Sequence, residues 1–192
     1  MPPRMPSRKE QLAALHAQIR VCTLCPLCAS RTHAVPGDGR TNAKALLVGE
    51  GPGEDEDASG HPFVGSAGRY LDHVLDEVGL DRRDLFITNV VKCRPPGNRT
   101  PKPLEARTCT STYLDAQIAL VQPKVVFLLG ATAARYGLPD YTSLEAMRGK
   151  TIRRNGLRYL VTYHPASRFY REDLSDKIKE DFAKLKRVLA RL

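Results

Sequence analysis

Four short apolar runs set the limits on how this chain can fold: Ala45 to Gly49, Leu85 to Val91, Lys124 to Leu129 and Leu157 to Tyr163. They read as strands buried on both faces, the pattern of a parallel sheet. Helix-like segments lie between them, near Ala67 to Val78, Leu104 to Val121 and Ala131 to Tyr136. A short helix from Glu10 to Val21 precedes them, with Leu12, Leu15 and Ile19 on one face. The C-terminus is amphipathic, its stripe formed by Leu174, Ile178, Phe182, Leu185 and Leu189. Asn155-Gly156 after Thr151-Ile152 predicts a hairpin into the last strand. Alternating strands and helices give an α/β fold, three αβα layers around a central, mostly parallel four-stranded sheet. At 192 residues, with no repeat and no low-complexity linker, one domain spanning 1–192 is expected, residues 1–7 forming a frayed tail.

Charge and composition narrow the partners. No apolar run approaches the ~20 residues of a membrane helix, and Met1 to Arg8 lacks the apolar stretch of a secretory signal. A cytoplasmic chain is expected. Thirty Lys and Arg against 21 Asp and Glu leave a net charge of +9, the footprint of a nucleic-acid binder. The stretch from Arg148 to Arg171 holds Arg148, Lys150, Arg153, Arg154, Arg158, Arg168 and Arg171 and no acidic residue. It reads as a surface that tracks phosphates, because clustered cations release counterions there.

Five cysteines in such a chain point to metal or catalysis rather than to disulfides. Cys22-x2-Cys25 is a chelating pair, and Cys93 and Cys109 must be brought back to it by the fold. Four thiolates suit either a structural zinc or an iron–sulfur cluster. Cys28 is the odd one, read as no ligand.

In a parallel α/β sheet the ligand sits beyond the carboxyl ends of the strands. The first run ends in Gly49-Glu50-Gly51-Pro52-Gly53-Glu54-Asp55-Glu56-Asp57, five carboxylates in eight residues from Glu50. Most of these are expected to face water in an acidic loop, since like charges so close disfavour one another unless solvated or paired. The glycines let backbone N–H groups approach a ligand. The second run carries Asn89 near its end and then reaches Cys93. The third ends in Gly130-Ala131-Thr132, a helix entry able to hold a phosphate, and the fourth in Tyr163-His164-Pro165. Carboxylates, an amide and an imidazole thus meet at one edge. Phe63, between Pro62 and Val64-Gly65, reads as a ring presented by a loop.

These motifs, in this order, resemble type-4 uracil-DNA glycosylases. The likeness runs through Gly49 to Asp57, Gly60-His61-Pro62-Phe63-Val64-Gly65-Ser66-Ala67-Gly68, Ile87 to Pro96, Tyr163-His164-Pro165, and Cys22-x2-Cys25-Pro26-Leu27 followed by Arg31. The resemblance implies removal of uracil from DNA in base-excision repair. It also implies a structural 4Fe–4S cluster on Cys22, Cys25, Cys93 and Cys109, with zinc as the alternative metal. The partner implied is uracil-containing DNA, single- or double-stranded, met by a monomer.

The site residues implied follow from the chemistry. A base in a duplex must be flipped out to be reached, and Phe63 would stack on it. Asn89 would donate to uracil O4 and accept from N3–H, a pattern that cytosine inverts. Backbone N–H groups around Gly51 would hold O2. His164 would stabilise charge developing there, as in an oxyanion hole. Glu56 would steady the sugar cation or the attacking water, and Glu50 would hold the pocket wall. Where relatives carry Ser and a leucine pair after the His-Pro, this chain reads Ala166-Ser167-Arg168-Phe169-Tyr170-Arg171. Arg168, Phe169 and Arg171 are therefore the expected DNA contacts, with Arg168 and Phe169 in the wedge. With no histidine between His73 and His164, covalent trapping on a histidine of an inserted loop is not expected. A non-catalytic iron–sulfur DNA-binding module is the rival reading. A zinc deaminase is set aside, since no His-x-Glu paired with Pro-Cys-x-x-Cys occurs.

Overall fold

The computed structural model describes residues 4–192. Its sheet has six strands: β1 (Asp38–Gly39), β2 (Ala45–Gly49), β3 (Phe86–Asn89), β4 (Val125–Leu129), β5 (Thr151–Arg154) and β6 (Leu157–Thr162). They lie in the order β1-β3-β2-β4-β6-β5. The four apolar runs form the parallel centre, β3-β2-β4-β6. The sheet exceeds the expected four strands because an antiparallel strand flanks each side, β1 on β3 and β5 on β6. β1 is too short to carry a hydrophobic pattern. β5 is the outer arm of the expected hairpin, turned at Asn155 and Gly156 with φ of 47° and 77°.

The helices are α1 (Arg8–Arg20), α2 (Glu54–Ser59), α3 (Ser66–Val78), α4 (Pro103–Cys109), α5 (Asp115–Val121), α6 (Ala131–Gly137), α7 (Leu144–Met147) and α8 (Leu174–Leu189). Residues 1–3 of the expected tail lie outside the described residues. Ser7 caps α1, its hydroxyl accepting from Glu10 while the Glu10 carboxylate accepts from Ser7 N–H. The segment Leu104 to Val121, expected as one helix, is interrupted. Thr110–Leu114 winds as a π-turn directly after Cys109, a bulge that shifts the helix phase where a side chain must be aimed.

Alternation along the strands sorts the core into two faces. Leu46, Val48, Phe86, Val126, Leu128 and Val161 meet α1, α4, α5 and α6 on one side. Leu47, Ile87, Val125, Phe127, Leu129 and Leu160 meet α3 and α8 on the other. Phe127 packs edge-on against Phe182 of α8 at 4.8 Å between ring centroids. These three layers leave the carboxyl edge of the sheet open.

Candidate active site

At that edge β2, β3, β4 and β6 end within one cleft of about 770 Å³, lined among others by Glu50, Gly51, Glu56, Phe63, Asn89, Thr132 and His164. The crevice outside the strand ends, where the crossovers diverge, is where α/β sheets bind ligands.

Asn89 is the last residue of β3, paired in register with Gly49 of β2. It is buried, and its Oδ1 has no hydrogen-bond partner. A Cβ on Gly49 would lie 2.3 Å from that oxygen and 2.6 Å from Phe63 Cζ. The missing side chain at 49 therefore lets an amide head and an aromatic ring meet at the back of the cleft. An unpartnered buried acceptor costs ~1–3 kcal/mol, so this oxygen is set for a ligand donor.

Phe63 is buried and has φ of 53°, a left-handed conformation that costs ~1–2 kcal/mol for a residue with a Cβ. Two neighbours hold it there. Gly68 of α3 lies so close that a Cβ would meet Phe63 O at 1.9 Å. Arg82 donates to Phe63 O at 3.2 Å, to Pro62 O at 2.7 Å and to Asp72 at 2.7 Å. The ring faces His164, 5.7 Å between centroids.

The acidic loop differs from the expectation of carboxylates mostly facing water. Glu54–Ser59 is the short helix α2, and four acidic residues in its first turn complement the helix dipole. Asp57 is buried and accepts from Thr32 N at 2.9 Å, tying α2 to the cysteine loop. Glu56 accepts from Gly53 N at 3.0 Å, Val64 N at 2.9 Å and Gly65 N at 2.8 Å. It thereby clamps both sides of the loop that carries Phe63. Glu50 accepts from the Thr132 hydroxyl at the start of α6 in a short hydrogen bond. The helix entry expected to suit a phosphate is thus engaged by a carboxylate.

His164 follows β6, and its Nδ1 accepts from Ala166 N at 3.1 Å. A backbone N–H can only donate, so the ring proton is left on Nε2. Burial pushes its pKa down to about 4, against the opposing pull of Glu56. The ring is therefore a neutral Nε2–H donor at pH 7.

The basic stretch does not form one surface. Arg148 bonds Asp181 at 2.8 Å and lies 5.6 Å from the Tyr163 ring. Arg153 and Arg154 pair with Arg158 and Leu157 across the hairpin, at the amino end of β6, away from the cleft. Nearness in sequence does not become nearness in space here, because the hairpin carries Arg153, Arg154 and Arg158 to the other end of the sheet from Arg168 and Arg171. Arg168 stacks on Tyr70 at 4.5 Å, and Arg171 pairs with Asp173 at 2.8 Å. Phe169 and Tyr170 line the mouth of the cleft, exposed by 51% and 89%.

Cys22, Cys25, Cys93 and Cys109 line a second, apolar pocket with Ile19, Leu27, Val91 and Tyr113. Cys28 is not among its lining residues. Arg31 donates to Cys93 Sγ at 3.1 Å and Leu24 N to Cys22 Sγ at 3.5 Å. Burial pushes the Cys25 and Cys93 thiols up and Cys109 to about 11. Four thiols in an apolar pocket with N–H donors aimed at sulfur can hold either an iron–sulfur cluster or a zinc ion.

Arg82 and Tyr170 carry no role in the sequence reading, while Gly68 enters only within a motif and Thr132 only as part of a helix entry. Only Tyr170 carried a signal, as a second aromatic beside Phe169. Arg82 and Thr132 act through contacts with residues far away in the chain, and Gly68 through its close approach to Phe63.

A model of the Uracil DNA glycosylase superfamily matches residues 36–190. The chain is 39% identical over 188 residues to the Type-4 uracil-DNA glycosylase of Sulfurisphaera tokodaii, spanning 93% of this chain and 85% of that protein. It is 39% identical over 184 residues to the Type-4 uracil-DNA glycosylase of Archaeoglobus fulgidus, spanning 92% of each. To that of Thermotoga maritima it is 43% identical over 164 residues, 84% of this chain and 85% of that protein. With the cleft, the amide and the four thiols arranged as above, the chain belongs to the type-4 uracil-DNA glycosylases.

Proposed function

We propose that this protein hydrolyses the N-glycosidic bond of uracil in DNA and leaves an abasic site, as a monomeric cytoplasmic enzyme of base-excision repair. The observation that carries the reading is the buried, unpartnered Oδ1 of Asn89 beside the Phe63 ring. Uracil offers N3–H to such an acceptor and O4 to the amide donor on the same head. Cytosine offers the inverse and would leave both unpaired, a mismatch that buried polar sites reject strongly.

The remaining groups serve the same step. Phe63 stacks on the flipped base, and backbone N–H groups around Gly51 hold its O2. His164 donates from Nε2 to O2, where charge gathers as the bond breaks, a preorganised neutral donor rather than an acid. Glu56, fixed by three backbone amides, steadies the sugar cation or the attacking water. Glu50, tied to Thr132, holds the wall. No lysine is among the residues lining the cleft, which supports a glycosylase without strand-cleaving Schiff-base chemistry. Phe169, with Tyr170 beside it, fits a wedge at the mouth. Arg168 and Arg171 support the same segment and meet the backbone. Cys22, Cys25, Cys93 and Cys109 would hold a 4Fe–4S cluster, whose contribution is to staple the N-terminal loop to β3 and α4.

The test is uracil release from a labelled oligonucleotide by the wild type, Asn89→Ala and His164→Ala. Release by the wild type and its collapse in both variants is expected. Unchanged release by the variants would overturn the site, and no release by folded wild type would favour a non-catalytic DNA-binding module.

A further inference from the structure

Among the described residues, Lys92 is the one buried lysine or arginine, and the proposed chemistry leaves it idle. It is 1% exposed, and its side chain folds back beneath the end of β3. Its ammonium donates to Thr88 Oγ1 at 2.6 Å, to Asn89 O at 2.7 Å and to Gln117 Oε1 at 2.7 Å. Thr88 and Gln117 are themselves buried, and each donates to Pro36 O, at 2.9 and 2.7 Å. Three acceptors converging on one point need a group with three donors and no acceptor, which only an ammonium provides. A buried charge is costly unless so bonded.

The geometry has a direction. Thr88 and Lys92 face the side of the sheet that packs on α5, while the Asn89 head faces Phe63 and Gly49. The ammonium therefore grips the Asn89 carbonyl from behind, and that carbonyl belongs to the residue whose amide forms the slot. Val90 N and Val91 N donate to Gly49 O and Glu50 O, at 2.9 and 3.1 Å, so the peptides that follow are pinned as well. We propose that Lys92 is a positioning residue for uracil recognition: its sealed ammonium fixes the peptide unit of Asn89 and so the angle at which the amide meets the base. The inference rests on the uracil reading above.

The test is a double-mutant cycle between Lys92→Met and Asn89→Ala. It is read as affinity for DNA carrying a non-cleavable uracil nucleotide, with the visible spectrum of the purified protein recorded alongside. If Lys92 acts through Asn89, Lys92→Met weakens binding about tenfold in the parent, the worth of a lost charge-assisted hydrogen bond, and less than about twofold in the Asn89→Ala background. A merely structural lysine would give equal losses in both backgrounds, and that result, or no loss in the parent, overturns the proposal. Should Lys92→Met fail to fold, Thr88→Val removes one acceptor and leaves the lysine, and the same cycle decides. Wild type that neither binds nor excises uracil would instead overturn the function itself.

Discussion

The two walls of the cleft are both held from behind by a cation, and there the likeness ends. Asn89 closes a regular strand, in register with Gly49, and its support, Lys92, is sealed in the sheet. Phe63 sits in a loop at a left-handed φ, and its support, Arg82, is 31% exposed and shared with Asp72. The amide wall must present hydrogen-bonding atoms to a fraction of an ångström, and regular structure supplies that. The aromatic wall needs only a flat surface, which tolerates a strained loop held by weaker, solvated bonds.

Replacing the heads themselves should expose this difference most. Asn89→Ala is expected to cut single-turnover excision by about 10²–10³-fold, with melting close to the parent. Phe63→Ala should cost about 10–100-fold in excision, the worth of one stacked base. It should also cost ~3 kcal/mol of stability, since the ring is buried. Chemical denaturation beside a single-turnover assay separates the two, and equal stabilities would break the comparison.

Removing the exposed support should do less. Arg82→Ala is expected to weaken binding of uracil-containing DNA about tenfold or less and to speed amide exchange at Val64 and Gly65. Unchanged exchange there would mean that Gly68 and Glu56 hold the loop unaided.

Two histidines let pH probe the molecule, one lining the cleft and one on α1. His164 faces Phe63, and His16 lies 6.1 Å from Phe86 of β3. Burial pushes both to about 4, below the ordinary 6.5. The unfolded chain then binds more protons between those values, so stability is full above pH 6.5 and is lost as pH falls toward 4. The loss is on the order of 1 kcal/mol for each, allowing for partial exposure. Urea titrations of His16→Gln between pH 4 and 7 should show a flatter profile than the parent. Excision should persist through pH 6 and fail only near 4–5. Excision lost instead as pH rises through about 6.5 would mean that His164 works as the cation.

The smallest effect is expected far from both walls. Arg153→Gln with Arg158→Gln should change excision less than about twofold, surface charges being worth little. A large fall in the salt dependence of binding would show DNA reaching the amino end of the sheet.

What the sequence disclosed follows the same division. The strand-borne half of the site was readable because apolar runs announce parallel strands and a parallel sheet announces where its ligands go: Asn89, Glu50 and His164 all stand just at or beyond a strand end. Phe63 needed the likeness to relatives, since Pro and Gly around a ring say only that a loop is present. Arg82 and Lys92 were invisible as supports, because the groups they hold in place are the backbone carbonyls of Pro62, Phe63 and Asn89, which leave no pattern in a sequence. The acidic run misled for a related reason. Like charges crowd only if they share a space, and here Asp57 turns inward to Thr32 while Glu56 turns to the Phe63 loop. β1 and the π-turn after Cys109 are too short to leave a period.

The flanking strands bear on how the chain behaves among its own copies. An exposed strand edge is a template for another chain, and proteins blunt it with shortness or charge. Here one side ends in the two residues of β1, with Gly39 at φ of 128°. The other ends in β5, where Arg153 and Arg154 are exposed. The four parallel strands, slow to assemble and the most adhesive part of the molecule, are thereby closed off on both sides. A protein made at high concentration keeps its apolar strands from growing into a fibre.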